Sequence, residues 1–262
     1  HRDLHSFPTR RSSDLELMSL SQVVNQTSLK TLGDYLYKYH GMNMIDDINR
    51  IYFGQETCEN LLPTLKSVEQ AVEIVKQREV AFTLATPYVS PKGILELRKL
   101  FDYLVTLDEE VEVVVNDYGV LHLINTEYPK LIPVLGRLLI KMKRDPRFSL
   151  SGYDIANVDI RNIKKVESNQ LEVLQGSSLE LPLYQKFLNE KGIDRAGIDT
   201  IPQGVDPKTI KKWGLKIDLY WPWTYITSSR SCAIAAHTQV GRDYHPTDEM
   251  CEFQCKQFEF TF

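Results

Sequence analysis

The chain contains 262 residues, of which 42% are hydrophobic and 25% charged, and its formal net charge is −4. A mildly acidic chain has no overall basic field to attract nucleic acid. The longest apolar run, residues 132–140, is interrupted by Arg137 and is far shorter than the roughly 18 residues of a membrane helix. We therefore expect a soluble globular protein without a membrane span. Because no secretory signal is visible, we expect it in the cytoplasm.

The first 15 residues, HRDLHSFPTRRSSDL, resemble the conceptual translation of a sequencing-library adapter. They lack the uninterrupted apolar stretch of a signal peptide. We therefore interpret residues 1–15 as a non-native segment and residues 16–262 as the domain itself. The chain ends in the strand-like KQFEFTF, and we expect it to be truncated at both ends.

Short apolar segments alternate with helical patterns along the rest of the chain. The predicted strands are 48–54, 80–89, 110–116, 132–138, 196–202 and 216–220. The predicted helices are 65–79, 91–107, 117–128, 181–191 and 207–213. In the first helix, Leu65, Val68, Val72 and Val75 have the spacing of one helix face. Ser90 is a suitable N-cap for the second.

This alternation predicts a parallel sheet with crossover helices, either an open doubly wound sheet or most of a (β/α)₈ barrel. No G-x-G-x-x-G turn follows the first strand, which favours the barrel over a dinucleotide-binding fold. Six units cannot close eight strands, so we predict an incomplete TIM-barrel-like α/β barrel. Residues 141–175 are polar with two basic clusters. They form either a solvated insertion or a docking surface for nucleic acid or an acidic partner.

The chain has only four cysteines, and all follow predicted strands. Cys58 comes after the first strand, whereas Cys232, Cys251 and Cys255 come after the sixth, spaced C-x18-C-x3-C. Because parallel barrel strands open onto one face at their C-terminal ends, we expect the four to converge there. Four thiolates suit zinc or an iron–sulfur cluster, and the loose spacing favours the cluster. Four buried thiols or two disulfides are the alternatives.

Four segments together resemble the peptidase U32 (collagenase-like) family: YFGQETCEN, VEVVVNDYGVLHLI, SSRSC and DEMCEFQC. The resemblance spans roughly residues 46–255 and is closest to the branch that acts in oxygen-independent ubiquinone biosynthesis. It implies a TIM-barrel-like fold and a [4Fe–4S] cluster held by Cys58, Cys232, Cys251 and Cys255.

The resemblance also implies an activity: oxygen-independent hydroxylation of a small molecule, such as a ubiquinone precursor, or of RNA. A second U32-family subunit is the implied partner. The alternatives are a U32-type peptidase and a non-catalytic subunit that carries a cluster. The sequence has neither G-x-S-x-G nor H-E-x-x-H, so the residues themselves give no support for a hydrolase.

The candidate catalytic residues lie near strand ends. Asn116, Asp117 and Tyr118 follow the third strand, where a barrel places functional side chains, although Asp117 can equally cap the next helix. Arg230, near Cys232, can bind a carboxylate through a bidentate fork or pair with an acidic loop residue.

Two further polar or aromatic side chains lie near the predicted strand ends. Glu56, beside Cys58, can hydrogen-bond a substrate, but we expect it to be exposed to solvent. The aromatic side chain of Tyr220, at the end of the sixth strand, either fills core or shields a cluster.

Overall fold

The computed structural model describes residues 49–143, 173–199, 201, 207–220, 251 and 253. Within them six strands form one sheet in the order β1-β2-β3-β4-β5-β6, and every neighbouring pair is parallel. The strands are β1 Arg50–Gly54, β2 Ala81–Ala85, β3 Glu112–Val115, β4 Ile132–Leu135, β5 Arg195–Asp199 and β6 Lys216–Tyr220. Strands that pair in chain order with intervening helices form a half-barrel, so the predicted incomplete TIM-barrel-like fold is confirmed.

The helices between the strands begin where the sequence provides a cap. They are α1 Leu65–Gln77, α2 Pro91–Leu104, α3 Tyr118–Glu127, α4 Pro182–Glu190 and α5 Pro207–Lys212. The side chains of Thr64, Ser90 and Asp117 accept hydrogen bonds from the first turns of α1, α2 and α3. Each such bond satisfies a backbone N–H that the helix itself leaves unpaired.

One face of the sheet packs against the helices and forms the main core. Alternate strand residues such as Phe53, Leu84 and Val113 are fully buried there with the apolar stripes of the helices. Burial of each such side chain contributes roughly 1.5–3 kcal/mol. Since successive strand residues point to opposite faces, the remaining positions face the inside of the half-barrel.

The inside of the half-barrel carries charge near the start of the strands. We call Arg50, Glu112, Arg195 and Asp218 the base layer. Arg195 Nη1 lies 2.9 Å from Asp218 Oδ1, and Arg50 Nη1 lies 2.9 Å from Glu112 Oε2. The hydroxyl of Tyr52 on β1 donates to Asp218 Oδ2 on β6 over 2.7 Å. The sheet therefore curves enough for the interior side chains of its first and last strands to meet.

The two described ends of the predicted polar insertion, near residues 142 and 177, lie side by side. Met142 and Ser177 form an antiparallel bridge, and Ser178 N donates to the carbonyl of Lys141 over 3.0 Å. Residues 144–172, the predicted adapter segment 1–15 and most of the chain after residue 220 lie outside the described residues. None of the helices in the described ranges has the length and apolarity needed to cross a membrane.

Candidate functional site

Four polar side chains meet at the C-terminal ends of the strands, and we call them the mouth layer. They are Glu56 after β1, Arg137 after β4, Asp199 at the end of β5 and Tyr220 at the end of β6. Arg137 donates to Glu56 Oε2 from Nε (3.1 Å) and Nη2 (2.9 Å), and to Asp199 Oδ1 from Nη1 (2.5 Å). The Tyr220 hydroxyl donates to Glu56 Oε1 over 3.2 Å, and its ring centroid lies 4.0 Å from the guanidinium carbon.

The charged side chains of the mouth layer are buried. Arg137 is 1% exposed, and Glu56 and Asp199 are 0% exposed, so the guanidinium and the two carboxyl groups that it bridges lie away from bulk water. Burial lowers the pKa of Arg137, but the Glu56 and Asp199 carboxylates outweigh this and raise it overall. Burial, followed by the charge of Glu56, holds the pKa of Tyr220 well above its ordinary value. At neutral pH the guanidinium is therefore charged and the phenol protonated.

Two glycines make room for this arrangement. A Cβ atom on Gly197 of β5 would lie 2.7 Å from Cε2 of the Tyr220 ring. A Cβ atom on Gly136, which precedes Arg137, would lie 2.1 Å from Oδ1 of Asn116. Both distances are shorter than real Cβ contacts, so a larger residue at position 197 would displace the Tyr220 ring, and one at position 136 would displace Asn116 beside the mouth.

The candidates Asn116 and Asp117 are both buried at the end of β3 and bonded to backbone. Asn116 Nδ2 donates to the carbonyl of Thr86 (3.0 Å), and its Oδ1 accepts from Leu138 N (3.1 Å). Asn116 thereby ties together the chain segments that follow β2, β3 and β4. Asp117 caps α3 by accepting from Gly119 N at 2.6 Å, as the sequence predicts for a residue before the helix.

The third candidate, Tyr118, is directed toward α4. It is 47% exposed, its hydroxyl lies 3.1 Å from that of Tyr184, and its ring meets Phe187 edge-on at 5.8 Å. Together with Leu121, His122 and Lys191 these rings line an open groove of about 440 Å³ between α3 and α4. The structure therefore separates Tyr118 from the buried contacts of Asn116. Arg230 lies outside the described residues.

Cys58 lies in the turn that leaves β1 for α1, two residues after Glu56. It is half-buried and precedes the 3₁₀ turn Glu59–Leu61. A partly accessible thiol at the C-terminal end of a barrel strand fits the donor chemistry that an iron–sulfur cluster requires. Cys251 is also half-buried, whereas Cys232 and Cys255 lie outside the described residues.

The described residues contain only two of the four cysteines. No group of three or more metal-ligating side chains occurs among them. The convergence of the four thiols therefore stays a prediction.

The expectation that Glu56 is exposed is wrong. Its side chain is 0% exposed because Arg137 and Tyr220 both hydrogen-bond to it in the interior of the half-barrel. Sequence reasoning also missed Arg137, which it treated only as an interruption of an apolar run. That interruption was the available signal, since a charge inside an apolar segment at a strand end is buried and must be paired.

The fold and the mouth layer define a class of protein: a TIM-barrel-like α/β half-barrel with a buried ionic centre at the C-terminal ends of its strands. Comparison with protein-family models, with curated proteins and with solved structures finds no match to this chain.

Proposed function

We propose that this chain is an iron–sulfur protein of oxygen-independent hydroxylation, with Cys58, Cys232, Cys251 and Cys255 as ligands of one [4Fe–4S] cluster. The observation that carries the proposal is the position of Cys58. Its turn leaves β1 at the face where parallel barrels carry their active sites, beside the buried ionic centre of the mouth. The resemblance of the cysteine segments to the U32 family supplies the identity of the group.

The cluster supplies one-electron chemistry when it is bound. The chain's own residues hold it through thiolates, and the mouth layer sets the charge beside it. A substrate is expected to bind over the mouth, either a small molecule such as a ubiquinone precursor or an RNA nucleotide. A second U32-family subunit is the proposed partner.

The first test is anaerobic production of the full chain, followed by assay of iron and sulfide. We expect brown protein with near-stoichiometric iron and sulfide, because thiolate-to-iron charge transfer is coloured. Cys58→Ala should lose most of the cluster. Thr126→Ala, an exposed substitution on α3, is the control and should retain it. Colourless protein with one tightly bound zinc would refute the cluster.

The second test places the gene in a host that lacks its own oxygen-independent ubiquinone hydroxylation proteins. Ubiquinone formed without oxygen, and lost in Cys58→Ala, would support the proposal. Peptide cleavage by purified Cys58→Ala protein would replace it with the peptidase alternative. A modified nucleotide in RNA would retain the chemistry and change the substrate.

A further inference from the structure

The turn that carries Cys58 is fixed by side chains on both sides of the cysteine. Gln55, which is 1% exposed, folds back so that its Oε1 accepts from Glu56 N (2.9 Å) and Thr57 N (3.1 Å). After the cysteine, Glu59 Oε2 accepts from Ser90 N at the start of α2 over 2.7 Å. Cys58 therefore lies in a short segment whose conformation is fixed by hydrogen bonds before and after the cysteine.

The longest-range of these restraints comes from Arg137. Its Nε and Nη2 both donate to the same oxygen of Glu56, which lies 81 positions earlier in the chain. Its Nη1 is held by Asp199 on β5, so the same guanidinium connects the turn after β1 to β5. A lysine would offer a compact charge on a flexible stem in place of this planar fork, and would not fix the three bonds in one geometry.

We propose that Arg137 is a positioning residue for Cys58. Acting through Glu56, it holds the turn 55–58 across the barrel mouth and so sets where the thiolate of Cys58 stands. The role in cluster binding rests on the proposed function, whereas the restraint on the turn does not. A thiolate held in place before the cluster arrives loses little conformational freedom on binding it.

The test compares Arg137→Lys and Glu56→Gln with Arg195→Lys in the full chain. Arg195 is a matched control because it is also an ion-paired arginine inside the half-barrel, at the opposite end of the β5 strand from Asp199. The first measurement is hydrogen exchange of the Glu56 and Thr57 amides in protein without cluster. We expect roughly tenfold faster exchange in Arg137→Lys and Glu56→Gln, because each weakens a charged hydrogen bond, and wild-type exchange in Arg195→Lys.

The second measurement is the electron paramagnetic resonance spectrum of the reduced cluster in anaerobically produced protein. Arg137→Lys should give a broadened or mixed spectrum, since the ligand turn no longer has one position, and Arg195→Lys the wild-type spectrum. Wild-type exchange at Glu56 and Thr57 in both mouth variants overturns the proposal. If wild-type protein binds no cluster but exchange still accelerates, the proposed function fails and the restraint by Arg137 stands.

Discussion

The base layer and the mouth layer use the same residue types at opposite ends of the same half-barrel, but under different conditions. In the base layer two arginines face two carboxylates, and the four side chains are 13–23% exposed. In the mouth layer one arginine faces two carboxylates, with exposures of 0–1%. The charged side chains of the base layer keep some contact with water, whereas those of the mouth layer have almost none.

This difference indicates different roles for the two ends. Ion pairs that remain partly hydrated contribute little to stability, so the protein loses little stability when they are broken. Charges taken fully out of water are expensive, and proteins concentrate them where chemistry needs them. In parallel barrels the N-terminal face serves stability and the C-terminal face serves function. The mouth layer fits that division.

The largest effect should come from Arg137→Met. It leaves Glu56 and Asp199 buried without their shared cation, which should lower the free energy of unfolding by about 3–5 kcal/mol. Arg50→Met removes an arginine from the base layer and should cost about 1 kcal/mol, because the Arg50 side chain is 23% exposed and Glu112 keeps Arg195 as a second cationic partner. Urea denaturation of both variants measures the difference. Equal losses would show that the two layers are energetically alike.

A smaller loss is expected from Gly197→Ala. The new methyl group would press on the Tyr220 ring and cost about 1–3 kcal/mol as overpacking. Gly192→Ala is the control: nothing lies within 4 Å of its Cβ position, and only its backbone angle of φ +71° is unfavourable. Near-UV circular dichroism should change in Gly197→Ala alone. An unchanged tyrosine signal in that variant would contradict the tight fit at the mouth.

Alkaline pH should act on the mouth through Tyr220. An unfolded tyrosine ionises with a pKa of 10.0, whereas burial raises the pKa of Tyr220 well above that in the folded protein. The contribution of Tyr220 to the free energy of unfolding is therefore fully present below pH 10 and is lost as the pH rises further. Tyr220→Phe removes this dependence and should lose about 1.4 kcal/mol less than wild type between pH 7 and about pH 11. Parallel pH profiles in urea denaturation would refute the raised pKa.

The smallest effect is expected at the surface. Arg98 and Glu127 form an ion pair between α2 and α3 that water reaches freely. The hydrogen bonds that Arg98 donates lower the pKa of Glu127. Glu127→Gln should shift the urea midpoint by no more than experimental error. A loss comparable to that of Arg50→Met would mean that the exposure of an ion pair does not predict its contribution to stability.

The sequence predicted what depends on local pattern. The strand Lys216–Tyr220 has the predicted bounds, α1 begins at Leu65 as expected, and Ser90 and Asp117 cap their helices. Strand ends were less accurate. Residues 132–138 were predicted as one strand, but β4 ends at Leu135, before the 3₁₀ turn that contains Arg137.

The mouth layer could not be found in this way, because its contacts are long-range. Glu56 and Arg137 are 81 residues apart, and Arg137 and Asp199 are 62 apart. Their meeting depends on how strongly the sheet curves, which no local period encodes. Cys58 was placed correctly at the end of β1 because its strand was recognised, whereas Glu56, two residues earlier, was assigned to solvent.

The bridge between Met142 and Ser177 makes this half-barrel a convenient scaffold for grafting. The chain departs and returns at neighbouring backbone positions, held by hydrogen bonds in both directions between Lys141 and Ser178. The entropy of closing a loop rises only by about 0.6 kcal/mol for each doubling of its length. A reporter domain inserted between Lys141 and Ser178 would therefore destabilise the barrel little, and it would be attached at a known position.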